Sequence, residues 1–182
     1  MLRVIAAAAA ACLLTVPAAL TGMPARADEA VHTLVVSGDW VAKEQQDPAA
    51  AMQNVCIAFT AAADNGFGLR ATADDFELRY SDNSWVLPAN VSGNLVIDIG
   101  RYHSVFAVTG NTRNTAIATI TPARLHILIA AMERAGSMTV TAGVAAPQRI
   151  SLRGSNRATT AFLSCAASVG ATGQDDWIRL SQ

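Results

Sequence analysis

The chain has few of the residues that most enzymatic chemistry requires. Its 182 residues include only three histidines, His32, His103 and His126, which are separated along the sequence. It contains no His-Glu-x-x-His pair, no cysteine–histidine spacing typical of zinc, no Walker loop and no Gly-x-Gly-x-x-Gly fingerprint. We therefore predict no catalytic residue, no metal site and no cofactor.

The nearest approach to a catalytic triad is Asp98, His103 and Ser104. Neighbouring residues on a strand point to opposite faces, so His103 and Ser104 would not share a site, and no Gly-x-Ser-x-Gly elbow carries the serine. A glycosidase would need two convergent carboxylates in a cleft. The acidic residues from which such a pair would be drawn are Asp74, Asp75, Glu77, Asp82 and Asp98. We expect turn and surface roles for them.

The chain also lacks a basic surplus. It has 13 Lys and Arg against 14 Asp and Glu, for a net charge of −1. Removal of residues 1–27 would take away Arg3 and Arg26 and no acid, which leaves −3. A protein that neutralises phosphates needs the opposite balance. We therefore predict no nucleic-acid partner.

The first 27 residues have the layout of a secretory signal peptide. Arg3 supplies a positive start, an alanine-rich apolar run covers residues 4–20, and residues 25–27 (Ala-Arg-Ala) suit a signal peptidase. We predict cleavage after Ala27 and a periplasmic or secreted protein. An uncleaved leader that anchors the protein and lipidation at Cys12 are the alternatives. No second apolar run approaches the roughly 20 residues that cross a bilayer, so we predict no transmembrane segment in the mature chain.

The rest of the chain suits one domain, residues 28–170, followed by a polar tail, residues 171–182. Cys56 and Cys165 are the two cysteines beyond the leader. Two cysteines in an oxidising compartment most often pair. We predict a Cys56–Cys165 disulfide; two free buried thiols are the alternative.

Short strand patterns recur along the mature chain. Phe76–Tyr80 alternates strictly between apolar and charged residues, and the turn at residues 64–66 (Asp-Asn-Gly) predicts a hairpin. Strands are predicted at 33–36, 40–41, 55–60, 67–71, 76–80, 85–87, 95–99, 104–108, 115–120, 138–141 and 149–152. Residues 43–52 read as loop or a short helix. This spacing is typical of an antiparallel sheet or sandwich.

Two helices are predicted to cover this β-rich α+β domain. Thr121 as N-cap and Pro122 at the first position start one, which Gly136 would end in a left-handed conformation. The second runs from Ser155 to about residue 168, before Gly170. The residues predicted for the core are Trp40, Phe59, Leu78, Trp85, Ile97, Phe106, Leu128 and Phe162.

One positive cluster surrounds the start of the second helix. Arg149, Arg153 and Arg157 lie close in sequence to Ser155. Arginines at a helix N-terminus can bind an anion, whereas solvated surface charge is the alternative. We keep these four residues as a candidate anion-binding site.

Several short motifs follow one another within about residues 37–168: an early Trp40, Cys56 on a strand and a Ser-Leu-x-Gly strand end at residues 151–154, followed by Ala158. Their order gives the chain a resemblance to the invasion-associated locus B family of exported alphaproteobacterial proteins. It implies a small β-rich periplasmic domain that is not an enzyme and has a role in envelope or host interaction.

These observations favour an exported, non-enzymatic binding or accessory protein of the cell envelope. We expect it to dock on an envelope protein through sheet edges or an exposed apolar patch. One alternative is a periplasmic inhibitor of a hydrolase that presents a rigid loop at residues 81–84 or 110–114. The other is a cell-wall glycan hydrolase built on the acidic residues above.

Overall fold

Ten strands form one continuous antiparallel sheet, and two helices accompany it. The computed structural model describes residues 31–47, 53–62, 64–88 and 90–171. The elements are β1 (Val31–Ser37), β2 (Trp40–Asp47), β3 (Gln53–Thr60), β4 (Asn65–Ala71), β5 (Phe76–Asp82), β6 (Ser92–Ile99), β7 (Tyr102–Thr112), β8 (Thr115–Thr119), α1 (Pro122–Met132), β9 (Ser137–Ala142), β10 (Gln148–Ser151) and α2 (Ser155–Ser168). The predicted β-rich α+β class is confirmed.

The strand order is β1-β2-β3-β4-β5-β8-β7-β6-β9-β10. The first five strands are therefore a simple meander, in which each strand pairs with the next along the chain. The order reverses for β6 to β8, so that β8 pairs with β5 and β6 pairs with β9. The predicted hairpin of β3 and β4 is confirmed.

One face of the sheet, here called the inner face, carries the core. On β5, Phe76, Leu78 and Tyr80 are buried, whereas Glu77 and Arg79 between them point to the outer face, as the period of a strand requires. Helix α2 packs against β1, β2 and β3 and contacts α1. No helix in the described part of the chain is long and apolar enough to cross a membrane.

The predicted disulfide is confirmed. Cys56 on β3 and Cys165 on α2 are bonded, with their Cα atoms 5.8 Å apart. Both cysteines are buried, and Phe162, one turn before Cys165, packs edge-to-face on Phe76. The bond therefore fixes α2 over the inner face of the first strands.

The two edges of the sheet approach each other where the β1–β2 turn meets the β10–α2 turn. We call this contact, made by residues 37–40 and 151–154, the turn clasp. Trp40 Nε1 donates to the Ser151 carbonyl at 2.8 Å. Trp40 is the first residue of β2, next to the terminal strand β1, and Ser151 is the last residue of β10, the other terminal strand, so this hydrogen bond shows that the sheet curls.

Two glycines allow the turns of the clasp to touch. A Cβ on Gly38 would lie 2.3 Å from the Arg153 carbonyl oxygen, and a Cβ on Gly154 would lie 1.9 Å from the Ser37 carbonyl oxygen. Both glycines have a positive φ, which disfavours other residues. Asp39 N–H donates to the Arg153 carbonyl at 2.9 Å, so backbone meets backbone here.

Most predicted elements are confirmed, including the start of α1 at the Thr121 cap and the full range of α2, which ends before a left-handed Gly170. Three local predictions are wrong. Residues 43–47 belong to β2 rather than to a loop or helix, and residues 85–87 form no strand. Gly136 does not have a positive φ, because α1 already ends at Glu133 in a right-handed conformation.

Two of the eight residues predicted for the core are only half-buried. Phe59 lies on the outer face of β3, because its neighbours Ala58 and Thr60 take the inner positions. Trp85 lies in the loop after β5 and packs on the edge of the core. The predicted signal peptide, residues 1–27, and the predicted tail, residues 171–182, lie outside the described residues except for Ala171, which is buried.

Candidate binding site

An apolar cleft of about 370 Å³ opens at one end of the inner face. It lies where β6, β7, β8 and β9 meet the loop that follows β5 and the β9–β10 turn. Its lining is Trp85, Leu87, Val91, Ser92, Gly93, Asn94, Val108, Gly110, Ala116, Ala142, Gly143, Val144 and Ala145. We refer to it below as the apolar cleft. Its volume falls within the range typical of ligand sites, about 300–1,000 Å³.

Small residues at inward-facing positions create the space. Residues directly opposite each other in a sheet share a face. Gly93 is opposite the buried Val108, and Ala142 is opposite the buried Leu95, so both face inward. In the same way, Ala116 faces inward opposite a buried tyrosine of β5, and Gly110 is opposite Ala116.

Apolar side chains of two loops form the walls. Trp85 packs edge-to-face on Tyr80, with ring centroids 5.4 Å apart. Leu87 and Val91 follow it along the same loop, and Val144 of the β9–β10 turn stands opposite, fully exposed. A partly exposed aromatic and aliphatic rim around an apolar floor is typical of a surface that buries an apolar group from a partner.

Backbone hydrogen bonds hold these walls in place and satisfy several of their backbone donors and acceptors. Leu87 N–H donates to the Arg113 carbonyl at 2.7 Å, and Gly110 N–H donates to the Val91 carbonyl at 2.8 Å. On the other wall, Gly143 N–H donates to the Asn94 carbonyl at 2.8 Å. The lining contains no acidic or basic side chain. The cleft therefore offers contacts to an uncharged apolar group.

Tyr80, beneath Trp85, is a titratable group close to this lining. Burial, followed by the charge of Asp82, raises the pKa of Tyr80 to about 12. Its hydroxyl is therefore protonated at neutral pH and cannot act as a general base there.

The candidate anion-binding residues have partners of their own. Arg153 forms an ion pair with Asp39 in the turn clasp, and this hydrogen-bonded guanidinium holds the pKa of Asp39 below its usual value. Arg149 Nε donates to Ser137 Oγ at 3.1 Å. Ser155 is buried, and its N–H donates to the Leu152 carbonyl. The anion site, with the exposed Arg157 as its fourth member, stays a prediction.

Of the three residues considered for a triad, Asp98 and His103 are brought together, whereas Ser104 is not. His103 Nδ1 lies 2.7 Å from Asp98 Oδ1, and both side chains are exposed. Ser104 instead accepts a hydrogen bond from Arg124 Nη2 at 2.8 Å. Arg124 also stacks over Phe106, whose side chain is buried on the inner face. Ser104 and His103 thus lie on opposite faces of β7, as expected.

The acidic residues have local structural contacts. Asp75 accepts from Thr72 Oγ1 at 2.6 Å, and Asp82 accepts from the backbone and hydroxyl of Ser84. Glu77 contacts Arg79 at 2.9 Å and the buried Arg70 at 3.5 Å. In the described part of the chain, no group of three or more histidine, cysteine or acidic residues is placed to hold a metal ion.

The two loops considered for an inhibitor are joined to each other. Asn114 Nδ2 donates to Asn83 Oδ1 at 3.1 Å, and Asp82 N–H donates to the Asn114 carbonyl at 3.0 Å. The second loop is also shorter than predicted, because β7 extends through Thr112. The joined turns form a polar ridge beside the apolar cleft.

Comparison with known proteins gives no relative. No family model, no curated protein and no solved structure matches the chain. The resemblance to the invasion-associated locus B family therefore stays a prediction.

The apolar cleft was not predicted from the sequence. Gly93 and Gly110 were predicted to lie in loops, whereas both belong to strands. Glycine inside a strand often marks a place where a ligand or another backbone comes close. That signal was present in the sequence, but only the register shows that these glycines and the alanines of β8 and β9 face one space.

Proposed function

We propose that this protein is an exported, non-enzymatic binding or accessory protein of the cell envelope, which acts through contacts with a partner protein. The observation that carries the proposal is the apolar cleft, whose rim is formed by the half-buried Trp85 and Leu87 and the exposed Val144. An apolar side chain of the partner would occupy the cleft, and the polar ridge at Asn83 and Asn114 would form the rim of the interface.

Export is the second part of the proposal. The sequence layout of residues 1–27 supports it, and so does the disulfide, because such bonds persist in oxidising compartments outside the cytosol. N-terminal sequencing of the protein recovered from the periplasm and the medium tests it. Recovery of a chain that starts at Asp28 is expected, whereas an intact Met1 terminus would contradict cleavage.

Photo-crosslinking in the native cell tests the binding function. A photoreactive amino acid replaces Val144 on the cleft rim, and in a control it replaces Val105, which is also an exposed valine but lies on the outer face of β7. One dominant adduct from position 144 that is absent from position 105 is expected. No adduct at 144, or the same adduct from both positions, would contradict the proposal.

Inhibition of a hydrolase is a second candidate, which the hydrogen bonds between the Asn83 and Asn114 turns favour because they make a rigid ridge. The identity of the crosslinked partner separates the two. A hydrolase whose activity falls when the purified protein is added would support the inhibitor, and any other envelope protein would support the accessory role.

A further inference from the structure

We infer that the apolar cleft takes an extended peptide segment of the partner, which pairs with the free edge of β6 at Ser92 and inserts one bulky uncharged side chain above Gly93. This inference rests on the proposed function and deepens it. It goes beyond an apolar contact because it specifies strand addition as the mode of binding.

The first observation is a short free edge on β6. In an antiparallel sheet, the peptide groups of successive residues point alternately to the two neighbouring strands. The Val91 carbonyl accepts from Gly110 of β7, and the Asn94 carbonyl accepts from Gly143 after β9. By this alternation, the N–H and C=O of Ser92 point away from β7, to the side on which β9 lies.

No described strand reaches Ser92 on that side. The pairing of β6 with β9 begins at Leu95 opposite Ala142, and the chain turns away at Gly143, which has a positive φ. Ser92 is exposed. The backbone groups of Ser92 are therefore placed where a further strand would continue the line of β9.

The second observation is that the apolar cleft lies directly beside this edge. A peptide residue paired opposite Gly93 would share its face and would point inward, because opposing residues lie on the same side of a sheet. A Cβ added to Gly93 would meet only Val108 Cγ2, at 3.9 Å, so the space above this glycine is open. Main-chain pairing and side-chain insertion are thus compatible with one strand position.

The chemistry of the lining selects the inserted side chain. The lining has no charged residue, and an unpaired charge buried there would lose its hydration without compensation. A cavity of about 150 Å³ accommodates benzene. The apolar cleft, at about 370 Å³, has room for a side chain as large as leucine, phenylalanine or tryptophan.

Selection of peptides on the purified mature protein tests the inference. The probe is a phage-displayed library of random seven-residue peptides, and the selected peptides are synthesised with capped ends. Affinity is then measured for the wild type, for Gly93→Leu, which fills the cleft, and for Gly136→Leu. Gly136 has open space around it and no positive φ, so it provides a matched glycine control.

The expected result is a set of peptides that share one bulky uncharged residue and bind Gly93→Leu at least about tenfold more weakly than the wild type, as for a lost apolar contact. Their affinity for Gly136→Leu should equal that for the wild type. N-methylation of the peptide nitrogen that faces Ser92 should weaken binding by a similar factor, because it removes a donor. Ser92→Pro, which removes the N–H from the protein side, should act in the same way.

Three results would overturn the inference: no enriched peptide, equal affinity for Gly93→Leu, or no effect of N-methylation at any position. If N-methylation has no effect but crosslinking at Val144 still captures a partner, the proposed function stands and strand addition is wrong. If peptides bind as expected but no partner is crosslinked in cells, the proposed function fails and the peptide site remains.

Discussion

The two ends of the inner face are built from the same strands but are packed in opposite ways. Towards the helices, β6, β7 and β9 contribute large buried residues, among them Leu95, Phe106 and Val140. A few residues away, the same strands contribute Gly93, Gly110 and Ala142. We call these regions the filled end and the open end. Protein interiors are normally close-packed, so an unfilled end is informative about binding.

The difference shows that the cleft does not arise from a shortage of large residues. At the filled end, buried apolar residues of the sheet and of both helices pack together in one core cluster. At the open end, Gly93 occupies a position where a larger side chain would meet open space, bury more apolar surface and stabilise the fold. Gly110 instead allows Val91 to come close, because a Cβ there would lie 2.9 Å from Val91 Cγ1. Natural proteins often depart from the most stable choice where function requires it.

The largest expected effect concerns the filled end alone. Cys56→Ser together with Cys165→Ser removes a cross-link that spans 109 residues and should lower the free energy of unfolding by about 4–5 kcal/mol. Urea unfolding measures this loss. If the two ends are independent, the affinity for cleft-binding peptides should stay the same under native conditions, and a parallel loss of affinity would contradict that independence.

A matched pair on β6 tests the comparison directly. Leu95→Ala at the filled end should lower the free energy of unfolding by about 3 kcal/mol, because it leaves a cavity. Gly93→Ala at the open end should instead raise it by about 0.5 kcal/mol, since it restricts the unfolded chain and meets no close atom. Chemical denaturation of both variants provides the measurement. A clear loss of stability in Gly93→Ala would show that the open end is not open.

The turn clasp can be tested with two left-handed glycines. Gly154→Ala adds a Cβ against the Ser37 carbonyl, whereas Gly170→Ala adds one with no atom within 4 Å. Gly170→Ala should lower the free energy of unfolding by about 1 kcal/mol through backbone strain alone. Gly154→Ala should lower it by about 2 kcal/mol more, because the two turns must separate. Equal losses in urea denaturation would show that the close contact contributes nothing.

The smallest expected effect is that the stability contributed by the turn clasp depends on pH. The Arg153 guanidinium holds the pKa of Asp39 below 3.8, so the folded state binds this proton less readily than the unfolded chain. The contribution of the pair is therefore present above pH 3.8 and is lost as the pH falls through the lower pKa of the folded protein. Asp39→Asn should lose slightly less stability than the wild type between about pH 5 and pH 2. Urea unfolding midpoints of both proteins at several pH values measure this difference. If the midpoint depends on pH in the same way in both proteins, the ion pair of Asp39 with Arg153 does not contribute as described.

Local patterns were sufficient to predict much of the fold. The helix start at Thr121-Pro122 and the strand at Phe76–Tyr80 depend on residues that are neighbours in the sequence, and both predictions are confirmed. The Cys56–Cys165 pair could be predicted because only two cysteines lie outside residues 1–27. Phe59 was misassigned because its apolarity does not reveal which face of the sheet it occupies.

The site could not be predicted in the same way. It depends on the order in which β8, β7, β6 and β9 are paired, in which β6 to β8 run against the chain order and β6 pairs with β9. No pattern in the sequence of β6 indicates that Ala142 lies opposite Leu95. A space between strands is a property of their register, whereas hydrophobic periodicity describes one strand at a time.

The turn clasp also has a consequence for the time course of folding. Trp40 and Ser151 are 111 residues apart, so their hydrogen bond forms only after β10 reaches the β1–β2 hairpin. The meander from β1 to β5 pairs neighbours along the chain and can form early, whereas closure of such a long loop is slow. A chain synthesised from its N-terminus would therefore expose the β1 side of the sheet until its last strand and helix arrive. The interval before closure is when this protein is most open to chaperones, proteases and misassembly.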